Sequence, residues 1–445
     1  MIIEVLQDII IDRTYVLSIS FEGRNVFLKL SFKFKPVLSE QQLSIIEDLS
    51  FHTTKLYNIA NHDCRENEFK SYYDLEPEYK SNWHNEYLHS HNYQQCLKML
   101  DQNWKSYFSA IKDYKKNPSK YLGMPMPPKY KNTKDRKNEI IFTNLAIRFE
   151  NDTMILSLAK PMQEKYGVKS LNFEVSKKLQ SRIDFCNLQQ VRIKWDQSLK
   201  QWYLVILYKQ EEAELPAHYN NVMAIDLGLS NLGAITFLYG NDSYIVNGKP
   251  LKSMNSYINK RIAHLQSISM SMKKGPEHHK DTKQITMLRK KRENYIHNYM
   301  HQASSLVIKL AHHYEVGQIV IGDMKNIKQD MNYNKSFVQI PQKKFAELIK
   351  YKAKLCGIEV VFINEAYTSG CSSFDLEKVS KKSYDKRRRI HRGLFKTNDG
   401  ILLNADVNGS LNILRKYVNE KCIPELILSE RDKGRVNAPL KLQAA

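Results

Sequence analysis

Apolar and polar residues alternate through Tyr15–Phe21 and Val26–Phe34, which predicts two strands joined near Glu22-Gly23-Arg24. Pro36 stops the alternation. The period then lengthens. Leu43, Ile46, Leu49, Leu56 and Ile59 give an apolar face to a helix begun at Ser39, with Gln42 at capping-box spacing. Leu97, Leu100, Trp104, Phe108 and Ile111 line a second long helix, from about Tyr87 to Tyr114, and read as core. Lys105, Lys112, Lys115 and Lys116 lie largely off that stripe; a solvated face and a phosphate-facing one both fit them. Pro125, Pro127 and Pro128 end the helical stretch. Strand patterns return at Ile140–Phe142, Ala146–Phe149, Met154–Leu158, Val191–Trp195 and Trp202–Tyr208. The first part therefore reads as an N-terminal β-barrel over residues 1–215, with a helical insert at about 38–122.

Leu215-Pro216 marks a boundary. Beyond it, strands are expected at Val222–Asp226, Leu232–Phe237, Tyr244–Val246, Gln318–Ile321 and Ile358–Ile363. Helices are expected over Lys252–Met272, Asp281–Tyr314 and Gln342–Cys356, the first two broken apart by Lys273-Lys-Gly-Pro276. Alternating strands and helices predict a mixed sheet covered by helices over residues 216–445. The chain as a whole is α/β and multi-domain.

Charge adds a partner. Lys+Arg 68 against Asp+Glu 47 gives +21 over 445 residues. A surplus of that size favours a polyanion. No apolar run is long enough for a membrane span, and Met1-Ile-Ile-Glu-Val carries no basic leader, so a cytoplasmic protein of a prokaryotic cytosol, nucleoid-associated, is expected. Cys64, Cys96, Cys186, Cys356, Cys371 and Cys422 form no C-x-x-C pair, which argues against a disulfide framework and against structural zinc.

The chemistry lies in two segments, Val222-Met-Ala-Ile-Asp-Leu-Gly-Leu-Ser-Asn-Leu-Gly-Ala-Ile-Thr-Phe237 and Asn404-Ala-Asp-Val-Asn-Gly-Ser-Leu-Asn-Ile-Leu414. The first puts Asp226 at a strand end; the second puts Asp406 in the first turn of an apolar helix. Each acid alone is ordinarily a turn former or a cap. Together they match the way an RNase H-like fold clusters carboxylates for hard divalent cations.

These segments resemble the RuvC core of the TnpB family of transposon-encoded RNA-guided nucleases and of the related compact type V CRISPR effectors. Gly123-Met-Pro-Met-Pro-Pro-Lys-Tyr-Lys131, Ile319-Val-Ile-Gly-Asp-Met-Lys325, Glu365-Ala-Tyr-Thr-Ser369 and Arg392-Gly-Leu-Phe-Lys396 follow in the family's order. The resemblance implies a wedge barrel with a helical recognition insert, then a RuvC domain with a basic target-strand insert at about 370–402. It implies guide RNA, double-stranded target DNA and a two-metal Mg²⁺ site.

Relatives usually end the fourth strand of the domain with a glutamate; here Gly322 stands there. Three readings remain open. Asp323 substitutes, although side chains on a strand alternate faces. Glu365 substitutes from the end of the next strand, as in a branch with a relocated glutamate. Or the site is dead. The expected catalytic and metal-binding set is Asp226, Glu365 and Asp406, with Asp323 as the alternative to Glu365.

Many relatives carry a zinc ribbon after Tyr-Thr-Ser. Here only Cys371 remains, and Cys371 with His391 would make at most a two-ligand site. The stretch Lys378–Lys396 instead holds nine Lys/Arg. Lys386, Arg387, Arg388, Arg389, Arg392 and Lys396, with Lys129 and Lys131, are the expected nucleic-acid contacts, and Tyr384 and Phe395 are stacking candidates. The function implied is RNA-guided DNA cleavage by Mg-dependent hydrolysis. The alternative is an RNA-guided repressor without nuclease activity; a strand-joining transposase fits less well.

Overall fold

The computed structural model describes residues 14–22, 25–180, 187–228, 230–272, 281–323, 341–391, 393–418, 424–430 and 439–444. The expected turns at Gly23-Arg24 and Lys273–Pro276, together with Cys186, Arg392 and Cys422, lie outside them. The chain divides into two units, Thr14–Gln210 and a second that spans Glu211–Ala445.

In the first unit, β1 (Thr14–Glu22) and β2 (Asn25–Phe34) pair antiparallel. Four helices follow: α1 (Glu40–Glu66), α2 (Tyr72–Glu78), α3 (Trp83–Glu86) and α4 (Ser90–Lys116). Then come β3 (Ile140–Thr143), β4 (Ile147–Glu150), β5 (Thr153–Ser157), α5 (Lys160–Tyr166), β6 (Ser170–Glu174), α6 (Lys177–Gln180), β7 (Leu188–Asp196) and β8 (Gln201–Glu211). The strands form two sheets, a five-stranded one ordered β1-β2-β8-β7-β3 and a three-stranded one ordered β4-β5-β6.

The capping box at the start of α1 forms: Gln42 N donates to Ser39 Oγ (3.1 Å) and Ser39 N to Gln42 Oε1 (2.8 Å). The buried arc of α1 runs through Ile45, Ile46, Leu49, Leu56, Tyr57 and Ala60. Leu43 and Ile59, expected on that face, are exposed. At ~100° per residue they fall on opposite borders of the arc. On α4, Leu97, Leu100 and Trp104 are buried, while Phe108 stays exposed beside Phe69. The helix starts at Ser90 rather than near Tyr87, because α3 precedes it and His89 caps it. Side chains tie the helices together and to β3: Trp104 Nε1 donates to Asn61 Oδ1 (3.0 Å) and Asn92 Nδ2 to Ile141 O (2.6 Å).

The second unit is built on a six-stranded mixed sheet. Its elements are β9 (Asn221–Leu227), β10 (Asn231–Phe237), β11 (Tyr244–Asn247), α7 (Lys249–Met272), α8 (Lys283–His313), β12 (Val316–Asp323), α9 (Gln342–Leu355), β13 (Glu359–Asn364), β14 (Leu394–Lys396), β15 (Leu402–Asn404), α10 (Ala405–Tyr417), α11 (Glu425–Glu430) and β16 (Leu440–Leu442). The sheet order is β13-β12-β9-β10-β11-β16. β9, β12 and β13 run parallel, and β10 returns antiparallel to β9. The carboxyl ends of three parallel strands therefore share one edge, the ordinary place for a site on an open α/β sheet.

Helix α10 covers one face of this sheet. Val222 and Ala224 of β9 and Val320 of β12 pack against its Ile413 and Leu414. Ser410 Oγ donates to Ala224 O (3.0 Å) and pairs with Thr236 Oγ1 (2.9 Å). The segment between β13 and α10 has its own core: Phe374, Phe395 and Leu403 join Ala405, Val407, Leu411, Leu426 and Ile427. Each Phe, Leu, Ile or Val side chain among them contributes about 1.5–3 kcal/mol by leaving water. Phe395 is fully buried there, so it is core and not a stacking surface for bases.

Candidate active site

Alternation along the strands decides which acids meet α10. Val222, Ala224 and Asp226 leave β9 on one face, and Val320 and Gly322 leave β12 on that same face. Asp323, the next residue, leaves on the other. Ile363 pairs with Gly322 in the parallel register and packs against the α10 side, which sets Glu365, two residues on, toward that side too.

Two glycines make the approach possible. A Cβ on Gly409 of α10 would collide with Asp226 Oδ2 and lie 3.2 Å from Asp226 Cγ. The Asp226 carboxylate thus lies against the bare helix backbone, one turn after Asp406. A Cβ on Gly322 would sit 2.8 Å from Glu365 Oε2, 3.3 Å from Glu365 Cβ and 3.0 Å from Ile413 Cδ1. The side chain of Glu365 occupies the space that a residue at 322 would fill. β13 is two strands away from β9, about 9–10 Å at ordinary strand spacing. Glu365 covers part of that distance by reaching over β12 at Gly322, where the strand carries no side chain.

Asp406 is held at both oxygens. Asn231 Nδ2 donates to Oδ2 (2.7 Å) and Arg389 Nη2 donates to Oδ1 (3.0 Å). Asn404 caps α10 by accepting from Asp406 N and Val407 N. The segment after Glu365 is tied down as well. Thr368 Oγ1 donates to Glu365 O (2.8 Å), and Lys416 Nζ donates to Asn364 O (2.6 Å).

The three acids act on one another. Burial, then the negative charges of Asp406 and Glu365, push the Asp226 carboxyl well above the usual carboxylate range, against an opposing pull from Arg389. Burial and the neighbouring Asp323 push Glu365 up as well. Such an arrangement of oxygen donors is costly without a cation and suits a hard divalent one. Among the described residues, no group of three or more His, Cys, Asp or Glu is drawn together closely enough to hold a metal ion. The acids are clustered but open, with Arg389 supplying positive charge at Asp406.

The basic residues have different surroundings. Lys386, Arg387 and Lys396 are exposed; Arg387 pairs locally, with Asp385. Arg388 is turned inward onto Glu377 (2.7 Å) and Asp375 (4.0 Å). Tyr384 packs on Gly370 and edge-on to Tyr367. Arg392 lies outside the described residues. In the first unit, Lys129 is exposed, whereas Lys131 is half-buried with its ammonium 4.1 Å from the Tyr57 ring centre, and burial lowers its pKa. Cys371 is buried and donates to Ser380 O.

Sequence reasoning missed Asn231, Gly409 and Lys416. The signal for Gly409 was in plain view: a glycine one turn into an otherwise apolar helix points to close approach by something else.

A family model described as a probable transposase, OrfB_IS605, matches residues 205–328, and a Cas12f1-like TNB domain model matches residues 343–413. The TnpB-like protein ORF457 of Acidianus two-tailed virus is 26% identical over 85% of this chain and 84% of its own length. The CRISPR-associated endodeoxyribonuclease Cas12f2 of a Micrarchaeota archaeon is 23% identical over 49% of this chain and 41% of its own. The cryo-EM structure of a Cas12f1–sgRNA–target DNA complex shares the fold, with a TM-score of 0.57 at 14% identity over 85% of this chain and 83% of that one. With a transposase model over β9 to β12, a TNB model over α9 to α10 and a TnpB-like relative matched along most of both chains, this chain is similar to TnpB-like proteins along most of its length.

Proposed function

We propose that the chain is an RNA-guided DNA endonuclease that cuts phosphodiesters at Asp226, Glu365 and Asp406. One observation carries the reading: acids from three distant segments lie on the α10 side of the sheet, near the carboxyl edge of three parallel strands and within reach of one another's charge. The strand order supports an RNase H-like, RuvC-type sheet. The names of the relatives support the substrate class, since one is a CRISPR-associated endodeoxyribonuclease and the Cas12f1 structure contains guide RNA and target DNA. The +21 charge suits two nucleic-acid partners.

Guide–target base pairing reads the sequence, so the protein need only hold the heteroduplex and present a strand. We read the Thr14–Gln210 unit as the wedge and recognition part, and the Glu211–Ala445 unit as the nuclease with its basic insert. Asp226, Glu365 and Asp406 would hold two divalent ions. When bound, these would supply Lewis-acid activation of water and stabilisation of the leaving oxygen. The rest is done by side chains of this chain. Asn231 orients the Asp406 carboxylate, Lys416 fixes the backbone beside Glu365, and Gly322 and Gly409 leave the carboxylates room. Exposed Lys386, Arg387 and Lys396 are placed to bind phosphate.

The test is to co-express the chain with its guide RNA and offer matched DNA with Mg²⁺. Cutting of matched but not mismatched DNA is expected. Binding with both strands intact would favour the RNA-guided repressor instead.

A further inference from the structure

Three consecutive arginines in the basic insert have three different fates. Arg387 is 92% exposed. Arg388 is clamped: Glu377 accepts from it and also from Ser372 N (2.9 Å) and Asn398 Nδ2 (3.1 Å), and Asp375 accepts from Asn398 N (2.9 Å). The clamp fixes the turn before Arg389. The bond from Ala405 N to Gly393 O (3.1 Å) ties the segment after it to the start of α10. Arg389 is thereby aimed at Asp406, with both side chains partly open to solvent (36% and 28% exposed).

Asn231 holds Oδ2 of Asp406, and the Arg389 guanidinium places a positive charge directly on Oδ1. A divalent ion approaching Oδ1 meets that like charge, which opposes its binding while the guanidinium stays in place. A phosphodiester offers that guanidinium another acceptor, and one better matched to its planar fork. We propose that Arg389 is a positioning residue that covers Asp406 until a DNA phosphate draws it away, so that metal loading is coupled to arrival of the strand. The inference rests on the proposed carboxylate centre and adds an order of events to it.

Mn²⁺ binding to the full-length chain tests it without reference to cleavage. The site signal is the part of Mn²⁺ binding, read by electron paramagnetic resonance, that Asp406→Ala abolishes. Partly exposed ion pairs are weak, so Arg389→Gln is expected to tighten that binding about twofold to fivefold. Lys382→Gln, which removes an exposed positive charge from the same insert, leaves it unchanged, and Arg389→Lys returns it toward wild type. Adding a short single-stranded oligodeoxynucleotide tightens Mn²⁺ binding in the wild type and adds little in Arg389→Gln. Equal Mn²⁺ affinity in wild type and Arg389→Gln, or an equal shift from Lys382→Gln, overturns the coupling and leaves the carboxylate centre standing. A total signal that Asp406→Ala does not change removes the centre, and the coupling with it.

Discussion

At Gly322 the side chain that is absent matters as much as those present. Glu365 lies where a residue at 322 would project, so the two positions are one unit. Gly322→Ala would force Glu365 Oε2 or Ile413 to shift, at a cost of about 1–3 kcal/mol as overpacking and with lower cleavage. Gly322→Glu combined with Glu365→Ala should recover part of the activity lost in Glu365→Ala alone, since it returns a carboxylate to the same space. A double mutant no better than Glu365→Ala would show that the space is not equivalent. Asp226 makes the complementary case. Burial and two acids disfavour its charge, so Asp226→Asn should abolish cleavage yet raise the metal-free melting temperature, the usual exchange of stability for function at a charged site.

At the scale of elements, α10 organises the second unit. Its inward polar residues, Asn408 and Asn412, are fully buried. Both donate to Cys371 O (2.8 Å each), and Asn412 also donates to Thr368 O (2.9 Å). This polar spine, with the Arg388 clamp, holds the segment where relatives commonly use zinc. Asn412→Ala should cost about 1–3 kcal/mol by taking the donor from the Thr368 carbonyl and one of two from Cys371 O, whereas a strong zinc chelator should leave the melting curve unchanged. In the first unit, α1 carries a pH-sensitive group. His52 stacks on Tyr87 (4.3 Å) and bonds His84 (3.1 Å). Burial, opposed by Asp48 and assisted by His84, Lys165 and Arg136, lowers its pKa to about 4. The unfolded chain protonates His52 near 6.5 and the folded one near 4. Its contribution is therefore complete above pH 6.5 and lost as pH falls toward 4, up to about 3 kcal/mol. His52→Gln should flatten the acid side of the stability profile; an unchanged profile would place the sensitivity elsewhere.

Much of this was legible in the sequence. The strands of both units and the long helices have clear periods, and Asp226, Asp406 and the capping box at Ser39 sit in strong local patterns. What was not legible depends on tertiary geometry. Leu43 and Ile59 fit a helical stripe yet lie at its borders, and Phe108 fits one yet lies past Trp104, the last buried residue of its helix. Short elements such as β6, α5, the β14–β15 pair and α11 carry too few residues to show a period. The inward turn of Arg388 and the packing of Lys131 over Tyr57 cannot be told from a basic run, because like residues in one run read as one surface.

At the scale of the whole molecule, the chain carries +21 and, among the described residues, no helix long and apolar enough to cross a membrane. Guide and target binding should weaken steeply with salt, since each neutralised phosphate releases counterions. Binding that does not vary with salt would contradict an electrostatic contribution of that size. The most direct test of the account is the cleavage rate of matched DNA by the guide-loaded protein in Mg²⁺, compared for Asp226→Ala, Glu365→Ala, Asp406→Ala and Asp323→Ala. The account predicts a loss of ~10²-fold or more for the first three and near-wild-type cutting for the fourth. Cutting that survives Asp226→Ala, or that fails in Asp323→Ala while persisting in Glu365→Ala, would contradict it.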